Sequence, residues 1–275
     1  MSIASDYFEA SIAEMVNYYQ GERLPMKLPQ WMIREGIIPG AEIIKAEGIG
    51  SKDRANKTDV VIYLSVGCPI KISAKLRNAD YFGNWYGHVR FLQEFGVAAF
   101  ERMTLAATEF ANYWTGKTEK PFVGVSISFG RRSGRTWQDF TDIFTQSDIL
   151  TVARGFGTGL AVANCMYIED RVASSIEELV DSLEEITEET VRIATESFKV
   201  IYRPVNPLTE GSNRVKNVYT RFQPYVALPR PTEIRTAEEL FSLGEFVTVA
   251  PNRLNHNHVL DEMESCYNII VPRRG

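Results

Sequence analysis

The sequence predicts an α/β fold: a mixed central sheet flanked by helices, with a β-rich C-terminal extension. Three observations predict it. An amphipathic stretch opens the chain, two short β-branched runs follow a polar loop, and after a helical middle the residues turn strand-like from Phe198 onward. At 275 residues, with 44% hydrophobic and 24% charged residues, the chain has the composition of an ordinary folded protein. We divide it into a core, 1–197, and an extension, 198–275, expected to belong to the same domain.

Residues 5–20 place Phe8, Ile12, Met15, Val16 and Tyr19 on one helical stripe, with Ser5 or Asp6 as the N-cap. Glu9 flanks that stripe and points along the core edge toward the sheet, whereas Glu14 lies nearly opposite and faces solvent. A proline-rich connection over 21–40, with a short helix around Trp31, leads to a strand over 41–47. The polar loop 48–57 carries Lys52, Arg54 and Lys57. Strands over 57–64 and 69–76 then form a hairpin around Gly67.

In the second of these strands Ile70, Ile72, Ala74 and Leu76 fall on one face, and Lys71, Ser73 and Lys75 on the other. Helix is expected over 84–103, continuing or restarting over 105–114. A strand over 121–129 precedes a loop holding Arg131, Arg132 and Arg135, and helix is expected again over 136–154. The acidic stretch after Ser174 spaces Ile176, Leu179, Val180, Leu183, Ile186 and Val191 as one or two helices. Strands are expected at 199–203, 218–222, 246–249 and 266–271, with a polar loop over 204–217.

The net charge of −5 is unevenly spread. Ten acids stand against Arg171 and Arg192 between residues 169 and 196, leaving 25 acids and 28 basic residues elsewhere. That balance permits a nucleic-acid partner without demanding one. No run has the length and apolarity of a membrane span. Residues 1–6 lack the pattern of a secretory signal, and Cys68, Cys165 and Cys266 have no paired spacing, so a cytoplasmic location without disulfides or zinc is expected.

A polar face with two lysines and a serine, beside Asp59 at the start of the neighbouring strand, suits the holding of a divalent cation and a water at a phosphate. The arrangement Thr58-Asp59, then Ile72-Ser73-Ala74-Lys75, resembles the PD-(D/E)XK nuclease superfamily. It is most similar to the type II restriction-endonuclease branch in which serine replaces the second acid, giving S-x-K. The resemblance spans about the first hundred residues. The order of helix with glutamate, strand, basic loop, strand with aspartate and strand with S-x-K carries it more than the short motif does.

The resemblance implies a restriction-endonuclease-like fold and a Mg2+-dependent endonuclease acting on DNA, expected to be double-stranded. Asp59 is the first metal ligand, Ser73 stands at the place of the second acid, and Lys75 positions the attacking water. Ala74 contributes a carbonyl, and Glu9 or Glu94 supplies the missing carboxylate, with Glu9 favoured. Cutting both strands of a duplex implies a homodimer. Lys52, Arg54, Lys57, Lys71, Arg131, Arg132 and Arg135 are candidates to follow the DNA backbone or, for arginine, to read guanine edges. Asn213, Arg214 and Lys216 belong to a further polar set with Arg203, Asn217 and Arg221, whose turn over 209–213 is a candidate to reach into a groove.

The rival reading is a non-catalytic DNA-binding or phage accessory protein that keeps the fold. Three further signals point to no function. The glycines of 155–159 lack the strand and final glycine of a dinucleotide fingerprint, His256-Asn257-His258 reads as a surface turn, and Tyr81, Phe82, Trp85 and Tyr86 read as packing at a helix entrance.

Overall fold

The computed structural model describes residues 3–49, 56–77, 79, 81–82, 85–131, 134–195, 197–211 and 216–274. In chain order its elements are α1 (Ile3–Tyr18), α2 (Gln30–Arg34), β1 (Ile43–Gly48), β2 (Val60–Leu64), β3 (Ile70–Lys75) and α3 (His88–Thr115). Then come β4 (Val125–Gly130), β5 (Trp137–Asp139), α4 (Asp148–Arg154), β6 (Cys165–Ile168), α5 (Ile176–Ser182), β7 (Leu183–Glu185) and α6 (Glu188–Thr195). The remainder is β8 (Lys199–Pro204), β9 (Thr220–Pro224), β10 (Thr232–Glu233), α7 (Ala237–Ser242), β11 (Gly244–Thr248), α8 (His256–Tyr267) and β12 (Ile269–Ile270).

The chain forms two units. The first comprises Met1–Asn84, Gly130–Ser133 and Thr145–Phe198; the second comprises Trp85–Phe129, Gly134–Phe144 and Lys199–Gly275. The sequence division at 197/198 lies beside the junction at Phe198, but residues 85–129 and 134–144 fold with the C-terminal segment. Aromatic packing explains this. Phe91 and Phe100 each lie 5.3 Å from the Tyr219 ring, and Phe91 also meets Phe144 at 5.8 Å. Thr104 Oγ1 donates to the Tyr219 carbonyl at 2.6 Å and accepts the Val249 N–H at 2.9 Å.

The first unit is built on a mixed five-stranded sheet of order β1-β2-β3-β6-β7. β1, β2 and β3 form an antiparallel meander, β6 lies parallel to β3, and β7 is antiparallel to β6. Alternation turns Val60, Ile62, Ile70, Ile72 and Ala74 onto one face, where they pack with Phe8, Ile12 and Val16 of α1 and Leu179 and Val180 of α5. The opposite face carries Asp59, Ser73 and Lys75. β3 is the central strand, so it holds its polar residues between neighbours and not at a free edge.

In the second unit β4, β8 and β5 form one sheet and β9 pairs antiparallel with β11. The Tyr219 N–H bonds the Val125 carbonyl at 2.8 Å and the Phe222 N–H bonds that of Val123 at 3.0 Å, joining the two. α3 lies over β9 and β11. It breaks at Gly96, whose φ of 79° is open to glycine, so the helix restarts there and not near Thr104.

Several local expectations change. The helix expected over 136–154 is instead β5, a 3-10 turn over Phe140–Asp142 and α4. β5 pairs antiparallel with β8, and α4 begins where the Asp148 carboxylate accepts the Thr145 N–H at 2.9 Å. The acidic stretch contains β7 between α5 and α6. Residues 256–267 form α8, capped by the Asn255 side chain, and only Ile269–Ile270 are strand. His256 is buried in that first turn and accepts the Lys216 N–H at 3.4 Å. The 155–159 glycines end α4: Gly155, Gly157 and Gly159 all have positive φ. Among the described residues no helix is long and apolar enough to cross a membrane.

Candidate active site

Asp59 stands one residue before β2, where its N–H donates to the Ile72 carbonyl at 2.8 Å and continues the ladder to β3. That placement turns its carboxylate toward the end of β3. Asp59 Oδ2 accepts the Ala74 N–H and the Lys75 ammonium, both at 2.8 Å. Lys75 Nζ donates as well to the Ala74 carbonyl at 2.7 Å. Asp59 and Lys75 keep 15% and 17% of their side-chain surface exposed, so the pair is partly dehydrated yet reachable from solvent.

Glu9 comes to the same place from α1. The residue is 8% exposed, and Ser5 Oγ donates to its Oε1 at 3.4 Å. Burial and, next, the Asp59 charge push its carboxyl up to about 7, while Lys75 pulls the other way. The three side chains therefore form one electrostatic cluster, with Ser73 (3% exposed) on the strand face shared with Lys75.

Among the described residues no group of three or more His, Cys, Asp or Glu is arranged to hold a metal. Two carboxylates are nevertheless the number by which magnesium is commonly held, because it keeps several waters. Burial is the larger cause of the raised Glu9 carboxyl and the Asp59 charge the second; a cation beside both carboxylates would act on the second. The Ala74 carbonyl, engaged by Lys75, retains a second lone pair. Asp59 and Glu9 are the two carboxylates this cluster offers to a hydrated cation.

Glu94 is placed differently. It lies in the second unit, where its side chain, 2% exposed, accepts from Arg90 Nε at 2.6 Å and from the Tyr86 hydroxyl at 2.7 Å. Its oxygens already satisfy two buried donors.

The basic candidates separate. Lys57 is only 7% exposed: it packs against Gly155, where a Cβ would sit 3.0 Å from Lys57 Cγ. This corrects its expected place on an open loop. Lys71 donates to the Gly159 carbonyl at 3.2 Å. Arg135 and Lys216 lie in the second unit, Arg135 exposed and Lys216 half-buried. Arg203 and Arg221 are engaged by Glu210 and Glu262, each at 2.5 Å. Lys52, Arg54, Arg132, Asn213 and Arg214 lie outside the described residues.

Arg131 lines a cavity of about 510 Å³ with Leu76, Arg77 and Asp170. Arg77 and Asp170 were not among the residues singled out by sequence. The signal available was the position of Arg77, two residues beyond Lys75. Comparison of the chain with protein-family models, curated proteins and solved structures finds no match.

Proposed function

We propose that this chain is a magnesium-dependent endodeoxyribonuclease of the PD-(D/E)XK type, hydrolysing phosphodiester bonds in duplex DNA as a homodimer. One observation carries the reading: Asp59 and Lys75, from adjacent strands, meet at 2.8 Å at the rim of the sheet with Glu9 in their field. Supporting it is the element order α1-β1-β2-β3, with β6 parallel to β3, which fits the core the resemblance implies.

In this reading Asp59 and Glu9 hold the ion, and bound magnesium supplies Lewis acidity toward the phosphoryl oxygens and lowers the pKa of a water. Lys75 offsets charge on the phosphate and orients the attacking water by donating to it. Asp59 keeps the ammonium aimed into the site. The Ala74 N–H fixes the Asp59 rotamer, so that geometry is set before substrate arrives. Water adds across the P–O bond, leaving a phosphomonoester on one fragment and a hydroxyl on the other.

The test is cleavage of supercoiled plasmid with and without Mg2+ by the wild-type chain, Asp59→Ala and Lys75→Ala. Mg2+-dependent nicking or linearisation abolished by both substitutions supports the reading, and wild-type protein that leaves the plasmid intact overturns it. The second reading, a DNA-binding protein without cleavage, draws on Ser73 in the place of an acid and on Lys75 being held by both Asp59 and Ala74. Plasmid retardation without cleavage would favour it.

A further inference from the structure

The cavity lined by Leu76, Arg77, Arg131 and Asp170 opens where β3 and β6 end. Leu76 and Arg77 directly follow Lys75, and Asp170 lies two residues beyond Ile168, which pairs with Lys75 in the parallel β3–β6 register. Ligands in open α/β sheets bind outside the carboxyl ends of such strands, where the chain must leave the sheet. Gly130, beside Arg131, is bridged to Tyr81, which brings the second arginine to this end of the unit. Arg77 Nη2 donates to Glu169 at 2.8 Å, a contact between side chains 60% and 33% exposed that uses one of five N–H donors. Arg77 is thus oriented without being consumed.

We propose that this cavity binds the phosphate next along the DNA strand from the one engaged at Lys75, with Arg77 and Arg131 as its donors. The inference rests on the nuclease reading above and names how the substrate strand is threaded past the site. Arg77 is the second residue after Lys75, in the turn that the Ala79 N–H closes on the Leu76 carbonyl at 2.9 Å, so at most about 7 Å of backbone separates the two and one strand can meet both. Guanidinium donors in a fixed fork suit a phosphate. Asp170 opposes the anion and tempers affinity, so that cleaved product is released.

Binding of a fluorescein-labelled duplex oligonucleotide, measured by anisotropy in EDTA across a salt series, tests this without cleavage. Arg77→Ala and Arg131→Ala should each weaken binding by about five- to tenfold and reduce the salt slope by about 0.9, irrespective of sequence. Arg77→Lys should restore the slope, and Asp170→Asn should tighten binding. Exposure of the Arg77–Glu169 pair means these variants keep the fold, which their melting curves check. Wild-type binding with both alanine variants within twofold of it overturns the cavity assignment and leaves the nuclease reading standing. A loss confined to some sequences overturns it in favour of base reading. No wild-type binding at low salt overturns the DNA substrate and the cavity assignment together.

Discussion

Lys75 Nζ and Asp59 Oδ2 are 2.8 Å apart, and the same Lys75 nitrogen is 2.7 Å from the Ala74 carbonyl. Two adjacent strands therefore present an acid and an ammonium as one unit. Replacing either residue alone leaves the other charge uncompensated in a partly dehydrated place. A double-mutant cycle of Asp59→Ala and Lys75→Ala should give a coupling on the order of 1–3 kcal/mol in urea unfolding. On the proposed function, plasmid cleavage falls to background in all three variants, and Lys75→Arg does not rescue it because a planar fork replaces a point charge. Additive unfolding energies would contradict the contact.

Glu9 gives a pH signature. Its carboxyl is raised to about 7 in the folded chain against an ordinary 4.5. Below the lower value both states hold the proton. Between the two values the folded state keeps a proton that the unfolded state has lost, so stability declines as pH rises, and above the upper value it levels off. The slope in that window reaches about 1.4 kcal/mol per pH unit. Glu9→Gln should flatten the decline in Tm between pH 5 and pH 8. Magnesium should recover part of the Tm at pH 8 in the wild type and not in Glu9→Gln.

Ser73 tests what the missing acid does. Alternation sets it on the Lys75 face, and it is buried. Ser73→Asp adds a carboxylate where two already repel, so the metal-free protein should melt lower. The added charge should also lower the Mg2+ concentration that half-restores Tm. Ser73→Ala should leave that concentration unchanged. Magnesium titrations followed by thermal melting read both outcomes.

The parts of this architecture legible in the sequence are those coded by local period. The stripe Phe8, Ile12, Val16 and the alternation of Ile70, Ile72 and Ala74 each announce one buried face, and both lie in the core of the first unit. Even the bearing of Glu9 follows from its offset on α1. β6 was not legible, because Cys165-Met166-Tyr167-Ile168 is a short apolar run without alternation, and its partner β3 lies about ninety residues away. Lys57 read as a solvated loop residue because its burial depends on the bare backbone of Gly155. The two-unit division was hidden for a like reason: Phe91, Phe144 and Tyr219 meet only through the tertiary fold. The local stop before α4, where the Asp148 carboxylate accepts from the Thr145 N–H and hydroxyl, was masked by the apolar spacing on either side.

Glu9 and Glu94 were the alternatives for a second carboxylate, and their surroundings make opposite predictions. The Glu94 side chain is nearly inaccessible and holds the Arg90 guanidinium and the Tyr86 hydroxyl, with Arg90 also lying 4.1 Å above the Tyr86 ring. Glu94→Gln breaks a buried ion pair and leaves an arginine short of its acceptor, so it should cost about 3 kcal/mol of stability. Because that network is complete without a metal, the variant's Mg2+ dependence of Tm should match the wild type's. Glu9→Gln should do the reverse: it relieves a buried, raised carboxyl and so spares or improves metal-free stability at pH 8, while abolishing the Mg2+-dependent gain. Melting both variants with and without magnesium decides between the two carboxylates, since a Mg2+ response lost in Glu94→Gln and kept in Glu9→Gln would move the metal site to the second unit.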